Sequence, residues 1–175
     1  MHRLDRGTSG LILFSFDKLT TKTLSESFMQ GKVNKIYHAW VRGWLAGSGE
    51  IEGDLQTERG LQTALTLYQG LAQIEAPWPF GGFASSRFSL LRLAPKTGRN
   101  HQLRRHLARI GHPILGDSSH GDSRRNRQWA SELGRSRLEL YATSLSFPHP
   151  QSGEPLHFSL PPDPEPLAYF GLKPL

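Results

Sequence analysis

The chain has 175 residues, carries 21 Lys and Arg against 15 Asp and Glu for a formal charge of +6, and contains no cysteine. That length suits one domain whose core buries about 70% of the unfolded surface. The composition excludes disulfides, thiolate nucleophiles and cysteine-type zinc sites, and no apolar run reaches the roughly 18 residues of a membrane span.

In chain order, residues 10–16 read as a buried strand, because the run is almost wholly apolar. Residues 18–30 read as a helix with Leu19, Thr23, Leu24 and Phe28 on one face and Gly31 as its stop. Residues 34–45, rich in Ile, Tyr, Trp and Val, read as a strand, and 47–49 as a turn. Short strands are expected at 51–57, 62–69 and 71–76, then a loop over 77–82, where two prolines and two glycines bar regular structure. Residues 86–93 read as a strand with Phe88, Leu90 and Arg92 on one face.

Lys96-Thr97-Gly98-Arg99 reads as a turn into a helix at 101–110. Leu103, Leu107 and Ile110 give that helix its apolar stripe, and Arg105 and Arg109 share another face. A second short helix is expected at 125–134, then strands at 138–147 and 155–160 around a turn at 150–153. The proline-rich tail from Pro161 to Leu175 is expected to pack loosely. Strands and helices do not alternate regularly. The class is therefore α+β, a mainly antiparallel mixed sheet with flanking helices, in one domain over 1–175.

The charge is concentrated. Residues 87–137 hold twelve Lys and Arg and three Asp and Glu, a local charge of +9, so the remainder sums to −3. Fifteen of the 21 cations are Arg, whose planar fork suits phosphates and stacks on bases. Such a field suits a polyanionic partner, above all nucleic acid, and a solvated basic face is the plain alternative. Metal chemistry has little support: there is no HExxH, and His101 and His106 stand five apart on their helix and diverge. GxSxG and the phosphate-loop motifs are also absent.

The first residues are more unusual. Asp5 sits between Arg3 and Arg6, followed by Gly7, Thr8, Ser9 and Gly10. Positive neighbours favour a carboxylate's charged form. Small residues let a ligand approach, so this loop could do nucleophilic or electrostatic work at a sugar C1′ or a base. A turn-capping aspartate paired with its neighbours fits the same triplet.

Four motifs then combine. His2-Arg3-Leu4-Asp5-Arg6-Gly7-Thr8-Ser9-Gly10-Leu11 resembles the HRLDxxTSGL signature of the RluA-type pseudouridine synthases. Lys35-Ile36-Tyr37-His38-Ala39, with Val41 and Gly43, is similar to their K-x-Y-x-A-x-V-x-G strand. Lys96-Thr97-Gly98-Arg99-Asn100-His101-Gln102-Leu103-Arg104 is similar to their TGRxHQ[IL]R motif. His112-Pro113-Ile114-Leu115-Gly116-Asp117 resembles the HPxxGD segment that follows it. Arg104-Arg105-His106 and the stretch 120–127 look like a branch of that family that acts on tRNA.

The resemblance implies the pseudouridine synthase fold and isomerisation of uridine in RNA, with no cofactor, no metal and no membrane. Asp5 would be the catalytic aspartate, Tyr37 the tyrosine that stacks on the uracil and takes the C5 proton, and Arg104 the partner of the aspartate. Arg3 would fill the space left by the flipped base. RNA contacts are expected from Arg3, Arg6, Lys96, Arg99, His101, Arg105, Arg109, Arg124, Arg125 and Arg127. A cytoplasmic, monomeric protein is expected. Family members carry strands and an NKP-type motif before HRLD. With that motif starting at residue 2, an amino-terminally truncated domain is expected, with an uncovered sheet edge near Leu11–Phe16.

Overall fold

The computed structural model describes residues 2–171. In chain order these form β1 (Ser9–Gly10), α1 (Lys18–Met29), β2 (Asn34–Arg42), β3 (Ser48–Thr57), β4 (Gly60–Ala76) and β5 (Ser86–Pro95). There follow α2 (Gln102–Arg109), α3 (Ser123–Leu133), β6 (Leu140–Pro148), β7 (Pro155–Ser159) and α4 (Pro164–Tyr169). One seven-stranded sheet runs β1-β6-β2-β5-β4-β3, with β7 also paired to β6. Every pairing is antiparallel except β1 with β6. The α+β class holds. No helix among the described residues is long and apolar enough to cross a membrane.

Alternation along β2 and β5 divides the interior into two layers. Ala39 and Val41 face one way with Leu91 and Leu93, and against them pack Leu103 and Leu107 of α2. Trp40 faces the other way with Phe88 and Leu90, against Trp129 of α3 and Leu167 of α4. The chain passes from the first layer to the second at 113–115. Arg42 N donates to Pro113 O at 3.1 Å, Leu115 N to Trp40 O at 2.9 Å and Glu139 N to Leu115 O at 2.9 Å, so this segment occupies the edge of β2 beyond the reach of β6. Only glycine fits next: a Cβ on Gly116 would lie 1.7 Å from Arg137 O, and its φ is +75°.

Three expectations about elements, and one about the buried face of α1, need correction. The run 10–16 is not a buried strand. Only Ser9 and Gly10 pair with β6, opposite Tyr141 and Ala142. Further along, β7 takes that edge, beginning where Leu160 N donates to Thr143 O at 2.8 Å. Displaced from the sheet, Leu11 and Leu13 pack onto Leu24, Val33, Leu145 and Phe147. Ile12, Phe14 and Phe16 face outward, Phe16 at 99% exposure. On α1, Leu19 is likewise exposed rather than on the buried face, while Leu24 is buried.

Second, the strands expected at 62–69 and 71–76 are one. β4 runs unbroken for 17 residues, with a register shift between Gly70 and Ala72 where the break was expected. A bulge adds a residue and bends a strand without ending it. Third, the described part of the tail is not loose. Leu167 is 2% exposed, and Phe170 lies 5.7 Å from the rings of both Trp40 and Trp78. Arg135 holds Asp163 at 2.8 Å and Glu139 at 2.9 Å, which pins α4 to the start of β6. Leu172–Leu175 lie outside the described residues.

Leu167→Ala should therefore lower the stability of the whole domain by about 2–5 kcal/mol, as for any buried leucine. Urea unfolding followed by tryptophan fluorescence measures this, and a loss within error would show that α4 is dispensable.

Candidate active site

Three distant segments meet above the first layer of the sheet. Asp5 sits in a turn closed by Thr8 N on Asp5 O at 2.9 Å. The turn is held by β1, where Gly10 lets two backbones touch: a Cβ there would be 2.2 Å from Ala142 O. Tyr37 comes from β2, at a register shift against β6 between Ile36 and Tyr37. Arg104 comes from the first turn of α2.

The start of α2 is fixed by the buried Gln102. Its Oε1 accepts from Thr97 Oγ1 at 2.7 Å and Arg99 N at 3.0 Å. Its Nε2 donates to Leu65 O and to Thr66 Oγ1, both at 3.0 Å. One amide thus ties the 96–99 turn to β4. His101 at the N-cap takes a left-handed φ of +52°, unusual for a residue with a side chain. The Thr-Gly-Arg-x-His-Gln pattern is a clasp that aims the next turn of helix, where Arg104 projects.

Arg104 is held by two carboxylates. Its Nε and Nη2 donate to Asp117 Oδ2 and Oδ1 at 2.8 and 2.7 Å. Its Nη1 lies 4.0 Å from Asp5 Oδ2. This is ion-pair contact, longer than a hydrogen bond. The Arg104 side chain is 5% exposed, that of Asp117 0% and that of Asp5 23%. Asp117 also accepts N–H groups from Ser119 and His120, each at 2.9 Å. Burial alone would raise the Asp117 pKa, but the Arg104 hydrogen bonds and these two N–H groups bring it down to about 2. The same hydrogen bonds raise that of Arg104. Burial first, and the Asp5 charge second, push the Tyr37 hydroxyl up to about 12. That hydroxyl is neutral throughout the physiological range.

The structure thus brings Asp5, Tyr37 and Arg104 together. Two further residues belong with them. Asp117 stands in the HPxxGD-like segment, which by itself assigns it no role, and only the fold shows that it grips Arg104. Lys35, two residues before Tyr37 and on its face of β2, has its ammonium beside Gly98 of the clasp, 3.5 Å from where a Cβ would stand. Burial lowers its pKa.

The expected RNA contacts divide into groups. Arg3, Arg6 and Lys96 are exposed. Three others have internal partners on the long β3–β4 hairpin. Arg99 Nε donates to Thr63 O at 3.3 Å and Arg105 Nη1 to Gln56 O at 2.9 Å. Arg109 lies over Gly53, where a Cβ would be 2.0 Å from Nη1. His101 Nδ1 meets His120 Nε2 at 3.0 Å. Arg124, Arg125 and Arg127 lie on α3, which packs on the opposite layer of the sheet, so the fold does not gather them with Asp5.

The family model described as RNA pseudouridylate synthase matches residues 1–109. Among curated proteins, tRNA pseudouridine synthase C of Haemophilus ducreyi is 44% identical over 163 residues, covering 87% of this chain and 67% of that protein. The protein of the same name from Salmonella typhi is 44% identical over 167 residues, covering 89% and 64%. The chain thus spans about two thirds of the length of these relatives. Among solved structures, human RNA Pseudouridylate Synthase Domain Containing 1 superposes with a TM-score of 0.76 at 25% identity, over 99% of this chain and 73% of that one. Human RNA Pseudouridylate Synthase Domain Containing 4 gives 0.71 at 26% identity, over 98% and 75%.

Asp117→Asn keeps the side chain's shape and removes its charge, leaving the buried Arg104 short of a counter-ion. It should cost about 3–5 kcal/mol, the usual loss on breaking a buried pair. The wild-type pair carries a pH signature. A carboxylate whose folded pKa lies near 2, below its ordinary 3.8, stabilises the fold above the higher value. That contribution disappears as pH falls through the lower one. Acid titration of stability should show this step in the wild type and a weaker one in Asp117→Asn.

Proposed function

Because the chain belongs to the RNA pseudouridylate synthase family, we propose that it isomerises uridine to pseudouridine in tRNA. We read it as a cytoplasmic, monomeric enzyme that uses no cofactor. The single observation that carries this reading is the convergence of Asp5, Tyr37 and Arg104. Asp5 and Arg104 are 99 residues apart in the chain, yet their side chains are in ion-pair contact.

The reaction breaks the N1–C1′ glycosidic bond, turns the uracil over, joins C5 to C1′ and releases the C5 proton. Each residue has a part suited to its surroundings. The Asp5 side chain is 23% exposed, so a sugar can approach its carboxylate. Arg104 gives it a fixed positive neighbour, and because Asp117 immobilises two of the guanidinium nitrogens, the third keeps a constant aim. Tyr37 offers a ring face on which the uracil can stack. Its hydroxyl stays protonated at neutral pH, so it receives the C5 proton only while passing its own to a neighbouring base. The target nucleotide must leave the RNA stack, as for other enzymes that act on bases. The tRNA assignment draws on the names of the curated relatives.

Tritium release from tRNA transcripts labelled at uridine C5 tests the proposal, because forming the C5–C1′ bond expels that hydrogen. Asp5→Asn should abolish release while binding the transcript within about threefold of wild type, since phosphate contacts dominate affinity. Turnover by Asp5→Asn at the wild-type rate would overturn the assignment. Tyr37→Phe should bind normally, because the ring remains, and lose turnover by about 10²-fold or more if the hydroxyl relays the proton. Full activity in that variant would leave stacking as its only part.

A further inference from the structure

Among the described residues, His101 at the N-cap of α2 is the only non-glycine with a positive φ, +52°. An N-cap residue ordinarily turns its side chain onto the first free N–H groups of the helix, and histidine is not among those favoured for it. The His101 ring makes no such bond. Its Nδ1 instead meets Nε2 of His120 at 3.0 Å, with the rings edge to face and their centres 5.2 Å apart. Backbone strain of this kind persists where the surroundings hold it, and it gathers at functional sites.

His120 is held as firmly. Its N–H donates to Asp117 Oδ1 at 2.9 Å, the oxygen that also accepts from Arg104 Nη2 at 2.7 Å. Arg104 Nη1 in turn lies 4.0 Å from Asp5 Oδ2. Three contacts, none longer than 4.0 Å, thus join the backbone of His120 to the catalytic candidate. Both rings are half-buried. Among the described residues, the outer nitrogens, His101 Nε2 and His120 Nδ1, have no partner and are not sealed from solvent. The charges that bear on His120 are those of Arg104 and Arg105 on α2 and of Asp117 on the loop beyond, with His101 as the titratable neighbour.

Proton counting gives the pair its chemistry. Two neutral imidazoles hold two ring protons. One lies in the bridge, so one outer nitrogen donates and the other is bare. A third proton turns both outer nitrogens into donors and makes the pair a cation. Burial and the two arginine charges oppose that proton and hold the His120 pKa below its ordinary value, against the pull of Asp117. A phosphate set against the outer nitrogens reverses the balance, because an anion favours the charged form. We propose that His101 and His120 together form a proton-linked site for a phosphate of the RNA backbone beside the target uridine, and that the third proton enters as the RNA binds. The assignment rests on the reading of the chain as an enzyme acting on RNA.

Calorimetry of the wild-type protein with an unmodified tRNA transcript, run near pH 6.5 in two buffers of different ionisation heat, counts the protons exchanged on binding. Uptake of about half a proton or more is expected, and affinity should strengthen as pH falls from about 8 to 6, approaching tenfold per pH unit where a whole proton is taken up. His120→Gln puts an amide in place of the imidazole, keeps a hydrogen-bonding partner for His101 and cannot take the proton. It should lose the uptake and flatten the pH dependence, so that its deficit in affinity grows from pH 8 to pH 6. His101→Gln should do the same. If the pair were only a tie between the 96–99 turn and the Asp117 loop, these variants would lose thermal stability with the proton exchange on binding unchanged. Should neither variant fold, the ring C–H signals of His101 and His120 in the wild type, followed by NMR across pH, carry the test. They should titrate at higher pH with the transcript bound than without it.

An absence of uptake, uptake that survives both substitutions, or histidine signals that titrate alike with and without transcript would overturn the proposal. Failure to bind RNA at all would overturn it together with the isomerase reading. Uptake through this pair without tritium release would overturn that reading alone, and tritium release without the uptake would overturn this proposal alone.

Discussion

The buried pair of Arg104 and Asp117 is the interaction on which the rest of the site depends. A guanidinium enclosed by protein is unfavourable unless its charge and its N–H groups are met. Asp117 meets two of the nitrogens in a fork-to-fork geometry, and two backbone N–H groups keep Asp117 itself charged. What remains is one nitrogen, Nη1, whose direction is set by the other two. That direction is toward Asp5. The catalytic candidate is therefore addressed by a charge that cannot swing away. Asp117 follows two residues after the 113–115 passage between the layers, where Ile114 packs in one and Leu115 in the other, so its position depends on the packing of both.

Much of this was legible in the sequence, for physical reasons that differ by element. β2 and β5 could be read because their apolar residues are buried on both faces, and α2 because Leu103 and Leu107 repeat at helical spacing. The Asp5–Tyr37–Arg104 site was legible only through motif resemblance, since nothing local brings residues 99 apart into contact. The misreadings share a cause. Residues 10–16 have the composition of a buried strand, but pairing is decided by what else competes for the edge of β6, and β7 wins it. The break expected within β4 was a bulge, whose local signal resembles a turn. The tail looked loose because its prolines hide a helix of one and a half turns whose Leu167 completes a core built mostly from distant residues.

The arginines show how composition can mislead about role. A local excess of +9 suggests a uniformly RNA-facing surface. Arg99 and Arg105 instead donate to backbone carbonyls of the β3–β4 hairpin, and Arg109, itself exposed, lies over Gly53 of β3. Arg135 secures α4. On the outer strand of that hairpin, Glu50, Glu52 and Asp54 are all exposed. Charges on an edge strand discourage pairing with another chain, and acidic ones also turn a polyanion away. The basic and acidic surfaces together narrow the directions from which a polyanion could approach.

The parallel contact between β1 and β6 has a consequence for how the site behaves in time. It is two residues long, joins positions 132 apart and is, among the described residues, the only strand pairing that holds the Asp5 turn to the sheet. Contacts of such separation carry a large loop-closure entropy cost. A two-residue pairing also ranks among the first to open in the native state. The aspartate turn therefore has few backbone hydrogen bonds to lose on opening, and hydrogen exchange at Leu11, whose N–H donates to Ala142 O, would test whether it opens separately from global unfolding.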